Sequence, residues 1–150
     1  MLLFLDFDGV LHPQYDGEPT PVDQVFCHLP RFEAIMRDFP SVEIVISSTW
    51  RNQFTLEQLR SRFSPDISAR IIDVTPQAEH ADGKYLPTRR EGEILDWLAI
   101  DGRSDVPWIA LDDAAWQFQQ YRDRLVACTW YVGLDDATES KLRLALAADE

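Results

Sequence analysis

At 150 residues the chain suits one domain with a core of ordinary size, and an apolar content of 45% sets it apart from disordered proteins. Lys and Arg number 14 against 26 Asp and Glu, a formal net charge of −12, which speaks against strong non-specific binding to nucleic acid but leaves phosphorylated ligands open, because a bound cation and a few placed basic residues make one pocket locally positive. No apolar run is long enough to cross a membrane, the N-terminus lacks the basic flank of a signal peptide, and Cys27 and Cys128 have no zinc-finger spacing, so a reduced, cytoplasmic protein is expected.

The first predicted element is the apolar run Leu2-Leu3-Phe4-Leu5, short enough for a buried strand, which enters Asp6-Phe7-Asp8-Gly9 at its carboxyl end. Gly9 lets the backbone reverse there. Residues 12–30, rich in Pro and polar side chains, read as a loop, and a helix follows from Pro30 to Phe39. Val42 to Ser47 is a second strand running into Ser47-Ser48-Thr49-Trp50-Arg51. Thr55 opens another helix, with Ser64-Pro65 just past its end. Arg70 to Val74 reads as a third strand.

Thr88-Arg89-Arg90-Glu91 has capping-box spacing and introduces a helix carrying Ile94, Leu95, Trp97 and Leu98. Val106 to Leu111 is a fourth strand, ending in Asp112-Asp113. A helix is expected to carry Trp116, Phe118 and Tyr121, then a fifth strand spans Leu125 to Cys128. Asp135 or Asp136 caps a last helix through Leu142, Leu144 and Leu146. Strands alternating with helices predict an α/β three-layer sandwich, a Rossmann-like parallel sheet of about five strands within residues 1–150. Trp50 and Trp116 each follow a polar strand end; both are assigned to core packing, with stacking on a base as the alternative.

Parallel strands joined by right-handed crossovers place their carboxyl ends on one edge. Asp6 and Asp8, Ser47 and Ser48, and Asp112 and Asp113 therefore converge. Acids of like sign gathered at one edge need a compensating cation, and a hard divalent ion prefers oxygen ligands. As mere turn or capping residues, Asp6 and Asp8 would lie partnerless beside an apolar run. A phosphoryl-transfer site needs a nucleophile, an acid/base, a metal and donors to the phosphoryl oxygens. Asp6 can attack phosphorus, Asp8 can move the proton, Asp112 and Asp113 can hold Mg²⁺, and Ser48 and Thr49 can bind the phosphate.

In this order the runs Asp6-Phe7-Asp8-Gly9-Val10-Leu11, Ile44-Val45-Ile46-Ser47-Ser48 and Ile109-Ala110-Leu111-Asp112-Asp113 resemble the first, second and fourth motifs of the haloacid dehalogenase-like (HAD) phosphatases. The resemblance implies a Mg²⁺-dependent phosphatase with Asp6 as nucleophile and metal ligand, Asp8 as acid/base with its carbonyl on the metal, and Asp112 and Asp113 as further ligands. Its second-motif hydroxyl falls on Ser48, with Ser47 as the alternative. Its third-motif cation falls on Arg90, in the first turn of a predicted helix, ahead of Lys84 and Arg89. The stretch from Leu111 to Arg122 also resembles the phosphatase domain of polynucleotide kinase–phosphatases, and Ser47 to Arg51 resembles small HAD domains of RNA-repair proteins.

Neither interval in which the family inserts its caps has room for a large one. The resulting open site suits a large substrate such as a nucleic-acid end or a phosphoprotein, with a small phosphorylated metabolite enclosed by a second subunit as the alternative. The competing reading is a catalytically idle HAD-like domain that binds metal and anion. A receiver-like phosphoacceptor fits poorly, because its contiguous acid pair ends the first strand rather than the fourth. Dehalogenation has no use for Asp8.

Overall fold

The computed structural model describes residues 1–77 and 89–148. Five parallel strands form one sheet: β1 (Leu2–Leu5), β2 (Glu43–Ile46), β3 (Ile71–Val74), β4 (Trp108–Asp112) and β5 (Leu125–Ala127), in the spatial order β3-β2-β1-β4-β5. The chain winds outward from β1 in one direction, then returns to place β4 on its other side. The switch point of this Rossmann-like α/β fold therefore lies between the carboxyl ends of β1 and β4, where open α/β sheets bind ligands.

Both faces of β1 are covered, which explains its unbroken apolar sequence. Leu3, Leu5, Ile44, Ile46, Ile109 and Leu111 face one core. That core is closed by helices α1 (Leu29–Asp38), α2 (Leu56–Arg60), α3 (Pro65–Ser68) and α5 (Asp136–Ala147). Leu2, Phe4, Val45, Trp108 and Ala110 face the other, closed by α4 (Arg89–Ile100) through Ile94, Trp97 and Leu98. Phe4 is fully buried there, edge-on to Trp97 at 5.6 Å and to Trp108 at 5.7 Å. Burial of such a ring contributes about 1.5–3 kcal/mol.

The element ends follow local chemistry. Pro30 occupies the first turn of α1, Thr55 and Gln58 form a capping box on α2, and the Asp135 carboxylate caps α5 by accepting from the Thr138 N–H. Ser64-Pro65 lies past the end of α2, as read from sequence, and also starts α3. The last helix carries Leu142, Leu144 and Leu146 as read from sequence; Leu142 and Leu146 are buried and Leu144 is 74% exposed. Thr88 lies outside the described residues. Among the described residues no helix is long and apolar enough to cross a membrane, and Cys27 and Cys128 are free thiols.

One expected element is absent. Residues 115–121 do not form a helix; they make a single 3₁₀ turn (Ala115–Gln117) before the backbone extends at Phe118. The reason is Glu91 of α4, whose buried carboxylate accepts from the N–H groups of Gln119, Gln120 and Tyr121 at 2.9–3.2 Å. These donors face a charge on a neighbouring helix instead of carbonyls of their own. Glu91→Ala leaves all three without that acceptor and should lower the urea unfolding free energy by about 2–4 kcal/mol; a loss under about 0.5 kcal/mol would show that the contact is dispensable.

Candidate active site

The site follows from the pleat. Side chains alternate across a strand, so Asp6, two residues beyond Phe4, and Asp112, two beyond Ala110, both point to the α4 face. The register brings them side by side, since Leu5 pairs with Leu111 and the Asp6 N–H donates to the Leu111 carbonyl at 3.1 Å. A helix that follows a parallel strand begins at the carboxyl edge, and α4 begins there with Arg89 and Arg90. Arg90, buried to 7% exposure, donates through Nη1 to Asp112 Oδ2 at 2.7 Å and lies 3.3 Å from Asp6 Oδ1. Short turns fix both carboxylates: Asp6 Oδ1 accepts from the Phe7 N–H and Asp112 Oδ1 from the Ala114 N–H, each at 2.9 Å.

Asp113 completes the cluster, with carboxylate oxygens of Asp6, Asp112 and Asp113 all within 4.8 Å of one another. The approach is tight against the first loop. Gly9 has φ +75°, and a Cβ there would come within 2.7 Å of Asp113 Cγ; only glycine allows both the turn and the contact. Burial and the facing carboxylates of Asp6 and Asp112 push Asp113 up to about 9, and burial and Asp6 push Asp112 up to about 6 against the pull of Arg90. Arg90 is shifted the other way: burial works against its charge, but Asp112 and Asp6 outweigh it and raise its pKa further. Three carboxylates and one guanidinium leave a formal −2, the charge a divalent cation cancels. The donor set, all oxygen and partly buried, fits Mg²⁺.

Asp8 is held apart from this cluster. Its Oδ1 is 2.8 Å from His12 Nε2, and both its oxygens accept from Trp50 Nε1–H at 3.1 and 3.2 Å. His12 is fully buried, and its Nδ1 accepts from the Phe26 N–H at 3.2 Å. The ring proton therefore sits on Nε2 and is donated to Asp8. Burial raises the Asp8 pKa, but the His12 and Trp50 hydrogen bonds prevail and hold it below the ordinary carboxylate range.

Asp6, Asp8, Thr49, Arg90, Asp113 and Gln117 line an open cleft of about 250 Å³. Ser48 is buried at the N-cap of a 3₁₀ turn (Thr49–Asn52), its Oγ accepting from the Trp50 N–H at 3.2 Å. Ser47 lies next to Asp6 in register, and strand alternation puts it on the face of Asp6 and Asp112. Its Oγ is buried with no hydrogen-bond partner among the described residues, as is Thr75 Oγ1. Strand geometry thus favours the sequence alternative, Ser47, for a hydroxyl facing the acids. Arg89 is half-buried beside Glu93 at 3.5 Å; Lys84 lies outside the described residues.

Three contributors escaped the sequence reading. His12 opens the segment read from sequence only as a loop. Trp50 belongs to an aromatic cluster with Phe7, Phe26 and Phe54, as expected, but also holds Asp8. Arg51 braces the site: it donates to the carbonyls of Ser47, Ser48 and Thr75 and pairs with Glu93, one turn along α4 from Arg90, at 2.7 Å. The available signal was position, since Trp50 and Arg51 directly follow the polar end of β2. Trp116, assigned to the core, is 58% exposed: the chain extends after its short turn and buries Phe118 instead.

The crowding of carboxylates has a measurable pH signature. Burial and the carboxylates of Asp6 and Asp112 push Asp113 up to about 9, far above the ordinary carboxylate range, so the folded state holds this proton more tightly than the unfolded state. Its contribution to stability is complete below about pH 4 and is lost as pH rises toward 9. In EDTA, Tm should therefore fall between pH 5 and 9, Asp113→Asn should flatten that fall, and Mg²⁺ should restore Tm most at the alkaline end. An identical slope in Asp113→Asn would contradict the assignment.

A family model for the HAD domain in Swiss Army Knife RNA repair proteins matches residues 2–138. No curated protein and no solved structure matches the chain. The matched span runs from the first residue of β1 into α5, and so takes in every strand of the sheet and every acid described above. With the match extending over nearly its whole length, the chain belongs to the HAD domain family of Swiss Army Knife RNA repair proteins.

Proposed function

We propose that this domain is a Mg²⁺-dependent phosphoric monoester hydrolase that works through a phosphoryl group carried on Asp6. The observation that carries the reading is the convergence of Asp6, Asp112 and Asp113 beside Arg90 at the sheet's switch point.

Asp6 attacks phosphorus and forms the acyl phosphate as the bond to the leaving alkoxide breaks. Arg90 and the Phe7 N–H fix the Asp6 carboxylate for this attack. Asp8 delivers a proton to the alkoxide, then takes one from the water that attacks phosphorus and frees Asp6 and inorganic phosphate. An entering phosphate dianion beside Asp8 raises its affinity for the proton it must give; His12 and Trp50 favour the carboxylate needed for the second step. The Ser47 hydroxyl, Thr49 and Arg90 supply donors to the phosphoryl oxygens. Asp6, Asp112 and Asp113 would hold Mg²⁺, joined by the Asp8 carbonyl that the HAD resemblance adds; when bound, the ion supplies positive charge against the phosphoryl oxygens.

The cleft is open, and only a loop and α1 connect β1 to β2. Such a site accepts a phosphate at the end of a large molecule. The family description names RNA repair proteins, which favours a phosphorylated nucleic-acid end over a phosphoprotein or an enclosed metabolite.

With p-nitrophenyl phosphate and Mg²⁺, Asp6→Asn should lower kcat by roughly 10³-fold or more, and EDTA should abolish turnover until Mg²⁺ is returned. Unchanged turnover in Asp6→Asn eliminates the mechanism. Wild-type protein that binds Mg²⁺ but turns over no ester in a panel of nucleotides, sugar phosphates, phosphopeptides and phosphorylated oligonucleotides would be the idle binding domain instead. His12→Ala should lower kcat by roughly 10–100-fold with KM little changed; an equal loss in 1/KM would place His12 in substrate binding rather than in holding Asp8.

A further inference from the structure

The cleft continues into a shallow trough of about 340 Å³, sharing Gln14, Asp113 and Trp116 with it. The trough gathers exposed rings. Among the described residues four large aromatics are exposed: Tyr15 (38%), Trp116 (58%), Trp130 (38%) and Tyr131 (61%). Tyr15, Trp116 and Trp130 line this one trough, and Tyr131 packs edge-on against Trp130 at 5.1 Å. The other large exposed apolar side chains, Val22, Ile100 and Leu144, are aliphatic.

The lining also says what the trough does not take. Among the described residues no Lys or Arg lines it, whereas Asp16 and Asp113 do. A second phosphate is therefore unwelcome there. Basic residues instead line the pocket on the other side of the cleft, where Arg51, Arg89 and Arg90 meet Thr49 and Gln117. The open space beside the acids is thus an aromatic-walled slot with carboxylate and amide groups at its rim. Indole and phenol faces stack on any planar ring, and Asp16 and Gln14 can accept from ring N–H or exocyclic amino groups. An aliphatic or sugar phosphate would leave these surfaces unused.

Resting on the phosphatase reading for the position of the phosphate, we propose that the trough is a platform for the nucleobase next to the scissile phosphate, with Trp116 and Trp130 as its stacking surfaces. The base must be unpaired to enter, so the substrate is a free nucleotide or a single-stranded or frayed end. A duplex end presents a base already stacked and paired, and loses this contact.

The test is equilibrium binding to Asp6→Asn protein with Mg²⁺, followed by isothermal calorimetry and tryptophan fluorescence. The probes are ribose 5-phosphate, 5′-AMP, 3′-AMP, and 5′- and 3′-phosphorylated single-stranded tetranucleotides. At least one base-containing probe should bind roughly tenfold or more tightly than ribose 5-phosphate and quench indole fluorescence. Trp116→Ala with Trp130→Ala should remove that preference, and Trp116→Tyr should keep most of it. Tighter binding of a tetranucleotide than of either AMP assigns a chain end; equal binding assigns a free nucleotide. Ribose 5-phosphate binding as well as every base-containing probe, or a preference that survives the double substitution, overturns the platform. Should the wild-type protein prove to lack phosphatase activity, the same comparison on wild-type protein still decides whether the trough takes a base. Circular dichroism of the double variant separates loss of the platform from loss of the fold.

Discussion

The arrangement of the molecule turns on electrostatic crowding between the ends of β1 and β4. Like charges with oxygens up to 4.8 Å apart repel by about 3–4 kcal/mol per pair at an effective dielectric near 20. Fully ionised, Asp6, Asp112 and Asp113 would make three such pairs, with Arg90 offsetting only part of their repulsion; burial and this repulsion together push Asp113 up. A sheet selected for stability alone would not end its two central strands this way. The surrounding structure shows what holding them there requires. The helix that carries Arg90 must begin at this edge, and Arg51 ties its next turn, through Glu93, to the carbonyls that end β2 and β3. The ion pair of Arg51 with Glu93 therefore acts as a brace on the position of Arg90, and its value lies in geometry more than in net stability.

The same logic separates Asp6 from Asp8. They lie two residues apart, yet their surroundings differ because the chain leaves the strand between them. Asp6 remains on the α4 face among acids and Arg90. Asp8 follows the turn at Gly9 into a wall of Phe7, Phe26 and Trp50, with His12 beneath it. One carboxylate is packed against like charge, the other is fed by two neutral donors. Placing two acids in environments that push them apart is how a single site obtains distinct roles for chemically identical groups. The loop that makes this division is itself tied down: the Leu134 N–H donates to the Val10 carbonyl, the His28 N–H to that of Leu11, and His28 Nε2 lies 2.8 Å from the Val132 carbonyl.

Much of this was legible in the chain because the signals were local and periodic. The run Leu2 to Leu5 reads as a doubly buried strand, and the alternation of apolar runs fixes a parallel sheet and hence the shared edge. Arg90 came from the HAD resemblance, which sets its third-motif cation in the first turn of that helix, and the folded chain brings it to 2.7 Å from Asp112 Oδ2. What stayed hidden depends on contacts between distant segments. Nothing near residues 115–121 announces that Glu91 will take the N–H groups of Gln119, Gln120 and Tyr121, so the helix expected to carry Trp116, Phe118 and Tyr121 gives way to a turn. His12 and Trp50 are separated by thirty-eight positions in sequence, and only the folded loop reveals that both aim at Asp8. The choice between Ser47 and Ser48 required the strand's last residue, where an error of one position reverses the face.

The placement of rings and charges bears on how so acidic a chain could handle a polyanion. At a net charge of −12, long-range attraction for a phosphate backbone is weak or reversed. Recognition must then be short-ranged and confined to the end of the substrate. Stacking meets that condition, since it operates at contact, tolerates different bases and gains little from counterion release. The trough carries acids rather than arginines, which leaves the pull on phosphate to the few cations gathered at the cleft and beyond it. A duplex held along its length would need the opposite distribution: a basic track across the surface and no outward-facing indoles. The observed division, aromatic on one side of the acids and basic on the other, is the one that the proposed base platform requires: contact with a single nucleotide and none with a chain behind it.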